Sequence, residues 1–142
     1  MNSSPQVTGY LLLFRNTAWM EDGLTDDEIR GAMDKVRAWF DRLNASGKIV
    51  SAQPLFDEGV RISGKAGRSV TDGPFAEAKE AVGGFVLISA ESMEEAVDIA
   101  KGNPLHDYGL ITEVRATASA CPHFDVFLRR TEGALALSLI HI

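Results

Sequence analysis

Thr8-Gly-Tyr-Leu-Leu-Leu-Phe-Arg15 is a short apolar run bounded by polar residues, a pattern that predicts a strand buried on both faces. Side chains alternate across a strand, so Tyr10, Leu12 and Phe14 point one way and Leu11 and Leu13 the other. Both sides therefore need a cover. Helices of the same chain can supply one, and a second subunit is the simplest lid for the other.

Working outward, Thr25-Asp-Asp-Glu28 is a capping box, in which hydroxyl and carboxylate each satisfy a backbone N–H at a helix start. Ile29, Met33, Val36, Phe40 and Leu43 then form one apolar stripe at helical spacing, and Gly47 is a natural stop. Ile49 to Ala52 and Val60 to Ser63 read as short strands. Gly64-Lys-Ala-Gly67 turns the second of these into Ser69-Val-Thr71, which makes a hairpin. Gly83 to Ser89 is a further strand. Ser92 with Glu95 forms a second capping box, ahead of a helix with Met93, Ala96, Val97 and Ala100 that ends near Gly102 and Pro104. Leu110 to Arg115 supplies a last strand, in which Ile111, Glu113 and Arg115 share one side. Strand, helix, hairpin, strand, helix, strand is an α+β order, with an antiparallel sheet and two helices on one face. No internal repeat is present.

A chain of 142 residues suits one domain, and 45% apolar with 24% charged residues is ordinary globular composition. The net charge of -6 repels phosphate backbones, which argues against nucleic acid and anionic membranes as partners. The longest apolar runs are strand-sized, too short for a bilayer. Cys121 is the only cysteine and the N-terminus has no signal-peptide pattern, so a cytoplasmic, reducing setting is the expectation.

The segment Val70-Thr-Asp72-Gly73-Pro74-Phe75-Ala-Glu77-Ala-Lys79-Glu80-Ala-Val-Gly83-Gly84-Phe85 resembles the signature of the YCII-related, DGPF-motif family. The resemblance runs from about Val7 to Ala116 and includes Leu12-Leu-Phe14 and Glu113-Val-Arg115. It implies a ferredoxin-like fold of the dimeric α/β-barrel type, a homodimer, and a cleft between sheet and helices. It also implies a functional link to an extracytoplasmic-function sigma factor, and it implies no specific reaction. An enzymatic branch of the family uses an early histidine with an aspartate, and this sequence has no histidine before His106.

Asp72 is the first candidate site residue. Its place before Gly73 and Pro74 fits turn chemistry, and a carboxylate held at a pocket can also act as a general base. Arg15, at the end of the first strand, is placed to be a cleft-facing cation, and Lys79 can neutralise an anion; Glu77 and Glu80 flank it as a charged cluster. Phe75 reads as a core anchor or as an aromatic at a cleft edge. His106 with Asp107 reads first as surface, and Trp19 and Trp39 as packing residues. Cys121, His123 and Asp125 are too sparse for zinc, so neither metal nor cofactor is expected. Gly83 and Gly84 precede a strand rather than a helix, which fits a bulge or close backbone approach better than a phosphate loop.

These residues describe a domain over 7–118 that binds a small carboxylated or polar-aromatic ligand through Arg15, Asp72, Gly73, Pro74, Phe75 and Lys79. The alternative is an enzyme doing proton-transfer or elimination chemistry with Asp72 as base. A weaker third reading is a sigma-factor partner, with Asp34, Arg37 and Asp41 on the first helix as the contact face. Residues 119–142 form a tail whose Phe124, Phe127 and Leu128 would pack on a partner subunit. Its last six residues, Leu137-Ser-Leu-Ile-His-Ile142, resemble a translated sequencing adapter and receive no function.

Overall fold

A computed structural model describes residues 4–21, 23–73 and 81–131. Strand β1 (Val7–Arg15) lies inside a four-stranded antiparallel sheet with β2 (Ile49–Pro54), β5 (Val82–Ile88) and β6 (Ile111–Ala118), in the order β2-β5-β1-β6. Helix α1 (Asp26–Ala45) follows β1, and α2 (Met93–Lys101) joins β5 to β6. This topology is consistent with the ferredoxin-like fold, in which two split strand-helix-strand units interleave. The hairpin β3 (Val60–Ser63) and β4 (Ser69–Asp72) is an insertion between β2 and β5 and forms a separate two-stranded sheet.

The core lies between one sheet face and the two helices. Tyr10, Leu12, Phe14, Val86 and Ile88 come from the sheet, Val36 and Trp39 from α1, and Ala96 and Ala100 from α2. The capping box at Thr25 and Glu28 forms with both hydrogen bonds. The other end of α1 closes in a Schellman arrangement, with Lys48 N donating to Leu43 O and Gly47 N to Asn44 O, and Gly47 at φ 72°. The buried stripe of α1 is rotated from the spacing read in sequence: Ala32, Val36 and Trp39 are buried, whereas Met33 is exposed. Trp39 on this stripe packs closely on the end of α2, where a side chain on Gly102 would come within 2.9 Å of Trp39 Nε1. Helix α2 likewise reaches the sheet through the small Ala96 and Ala100 rather than through Met93, which is exposed.

The second capping box forms only in part. Ser92 accepts from Glu95 N, but the Glu95 carboxylate takes the Lys48 ammonium at 3.0 Å and so ties the start of β2 to α2. A third helix, α3 (Pro122–Thr131), occupies the segment read from sequence as a tail. No helix among the described residues is long and apolar enough to cross a membrane.

The glycine doublet builds a bulge. Phe14 pairs with Gly84 and Arg15 with Val82, which leaves Gly83 as the extra residue on β5. A side chain on Gly83 would run into Thr17, and one on Gly84 would lie 3.1 Å from Gln53 O. Gly83→Ala is therefore expected to destabilise the protein by about 1–3 kcal/mol, with much of the loss recovered when Thr17→Gly is added. Urea unfolding measures both, and a single variant as stable as the wild type contradicts this geometry.

The hydrogen bond and charge of Lys48 hold the Glu95 carboxyl below its ordinary value of 4.5, against a smaller opposing effect of desolvation. A group whose folded value is depressed adds stability above its unfolded value and loses it as pH falls through the folded one. Glu95→Gln should therefore unfold at lower temperature than wild type at neutral pH, with the gap closing on acidification below about pH 4. A gap that stays constant with pH would contradict the pairing.

Candidate functional site

The sheet face away from α1 and α2 carries the charged candidates of the sheet. Alternation and register put Leu11, Leu13 and Arg15 of β1 on it, beside Phe85 and Leu87 of β5 and Ile111, Glu113 and Arg115 of β6. An antiparallel sheet with one free face normally turns polar residues outward. Here the middle two strands turn outward leucines and a phenylalanine, all half-buried within the protomer.

One edge of this apolar floor is charged. Arg15 donates from Nε at 3.3 Å and from its terminal nitrogen at 3.1 Å to the same Glu113 oxygen, and Arg115 approaches the other Glu113 oxygen at 3.6 Å. Two guanidinium groups thus flank one carboxylate. The Arg15 side chain is 27% exposed and that of Arg115 69% exposed, so the first is held in place and the second reaches into solvent. A planar guanidinium beside an apolar and aromatic surface is suited to a carboxylate on a flat body.

Asp72 belongs to the two-stranded sheet rather than to the four-stranded one. It ends β4 opposite Val60, and the base of the hairpin is closed by Gly73 N donating to Gly59 O at 2.6 Å. The Asp72 residue is exposed, so a single protomer does not enclose it in a pocket, and Arg15 turns to Glu113. Pro74, Phe75, Glu77, Lys79 and Glu80 lie outside the described residues, as do residues 137–142. Every residue from Val60 to Asp72 is exposed.

On the helix side, Phe14, Phe40, Ala52, Pro54, Gly84 and Val86 line a recess of about 250 Å³ between sheet and α1. It includes no titratable side chain, so it offers apolar space and no base. Across the sheet end, His106 Nε2 and Thr112 Oγ1 share a hydrogen bond of 2.8 Å, and Trp19 packs on Tyr108 with ring centres 5.3 Å apart. His106 is thus half-buried and bonded, not a plain surface residue, while its neighbour Asp107 is exposed. On α1, Asp34 and Arg37 are exposed and pair with each other at 3.5 Å. Among the described residues, no group of three or more His, Cys, Asp or Glu side chains converges as a metal site.

The sequence matches the YCII-related domain over residues 10–119. The chain belongs to the YCII-related family. No curated protein matches it in sequence. The match takes in the whole four-stranded sheet apart from the first residues of β1, together with both helices that cover it and the β3–β4 hairpin. Within this YCII-related domain the sequence pointed to Arg15 and missed its setting. The alternation of Ile111, Glu113 and Arg115 was readable, but only the β1–β6 register brings Glu113 against Arg15.

Proposed function

We propose that this YCII-related protein is a small-molecule-binding or regulatory module acting as a homodimer, with its ligand at the subunit junction beside Arg15 and the Asp72 loop. The observation that carries the reading is the open sheet face, where an apolar floor of Leu13, Phe85 and Leu87 adjoins a cationic cluster. Fully burying one such side chain is worth roughly 1.5–3 kcal/mol, so a half-covered floor retains a large drive to bind something flat and apolar. The two guanidinium groups at its edge favour a carboxylate on that molecule. Gly73, Pro74, Phe75 and Lys79 belong to the same proposed site because they continue the chain directly from Asp72. Asp72 hydrogen-bonds the ligand in this reading. Use of Asp72 as a base would require the second copy to enclose it.

Benzoate and its neutral amide are suitable probes, since they share a ring and differ in charge. Specific binding raises stability by mass action, by about 2.7 kcal/mol at a hundredfold excess over Kd. Benzoate should raise the unfolding temperature of the wild type by several degrees, benzamide by less, and neither should shift Arg15→Gln. If benzoate leaves the wild type unmoved, or moves Arg15→Gln equally, the ligand reading fails.

A further inference from the structure

The two guanidinium groups beside Glu113 are held differently. Arg15 donates twice to Glu113 Oε1, at 3.3 and 3.1 Å, and its side chain is 27% exposed. Turning it toward a ligand would break two charge-assisted hydrogen bonds, among the stronger kinds in a protein. Arg115 approaches Glu113 Oε2 at 3.6 Å, beyond hydrogen-bonding distance, and its side chain is 69% exposed. An exposed pair at that separation contributes little, so Arg115 can swing to a new anion at small cost.

Strand register separates them as well. Arg115 stands opposite Leu11, which pairs in turn with Leu87, so Arg115 borders one row of the apolar floor. Glu113 borders the next row, made by Leu13 and Phe85. Arg15 follows Leu13 by two residues, roughly 7 Å along β1, and so lies past that last pair. Arg115 is therefore beside the floor, and Arg15 is beyond its end.

We propose that Arg115 is the residue that grips the ligand's carboxylate, and that Arg15, acting through Glu113, is a positioning residue. This rests on the small-molecule reading above and divides the labour within it. Arg15 engages one oxygen of Glu113 and offsets its charge, which keeps that carboxylate from closing on Arg115. A flat ring on Leu11, Leu13, Phe85 and Leu87, with its carboxylate toward β6, then meets a planar fork already standing at the floor's edge. Without Arg15, Glu113 becomes a built-in competitor: its carboxylate takes the fork that the ligand needs.

Calorimetric titration of benzoate into the full chain tests this, with each variant's unfolding temperature in the absence of benzoate as the check on folding. Arg115→Gln should weaken benzoate binding by about tenfold or more. Arg115→Lys, which keeps the charge and loses the fork, should bind better than Arg115→Gln. Arg15→Gln should lose binding too, because the released Glu113 closes on Arg115. Adding Glu113→Gln to Arg15→Gln removes the competing charge and should restore most of the affinity, a rescue that neither direct contact by Arg15 nor a purely structural role allows. Wild-type binding in Arg115→Gln, or a double variant as unresponsive as Arg15→Gln, overturns this division of labour while leaving the small-molecule reading in place. A wild type that does not bind benzoate overturns both together.

Discussion

Strand β1 sits second from the edge of the sheet with apolar side chains on both of its faces, and among the described residues one face is buried and the other half-buried. On the helix side Leu12 is completely buried, and α1 and α2 close over it through Val36, Trp39, Ala96 and Ala100. On the other side, away from α1 and α2, Leu11 and Leu13 join Phe85 and Leu87 in a half-buried floor. The same asymmetry recurs in the insertion, where Val60, Ile62 and Val70 face one way and are exposed. Two incomplete apolar surfaces of similar length on one chain are the constraint from which the functional reading follows.

Much of the scaffold was legible in the residues because it is set by short-range chemistry. The Thr25–Glu28 box, the Gly47 stop, the Gly64–Gly67 turn and the glycine doublet each act within a few positions, and each acts where its residues stand. What was not legible depends on contacts distant in sequence. The face that α1 buries includes Trp39, which packs on Gly102 beyond the end of α2, and Glu95 pairs with Lys48, distant in the chain. The third helix was missed because its segment, Pro122 to Thr131, carries no capping box, only a proline suited to a first turn.

The candidate site divides in the same way. Arg15 could be singled out as a cation at a strand end, but its chemistry comes from Glu113, almost a hundred residues along the chain and adjacent only through strand pairing. Asp72 could be singled out from the turn that follows it, yet alternation along a four-residue strand, rather than the turn, gives it an apolar setting beside Val60 and Ile62. The helix-side recess has space and no charge, whereas the open face has charge and an uncovered floor. In the proposed reading a polar small molecule therefore binds the open face, and fold-level likeness alone would not have chosen between the two.

Hydrogen exchange of the backbone amides of β1, β5 and β6, followed at low and at high protein concentration, tests the central claim most directly. A second copy on the open sheet face predicts that these amides exchange more slowly as concentration rises. Exchange that is independent of concentration would show the face left to water and would contradict the account.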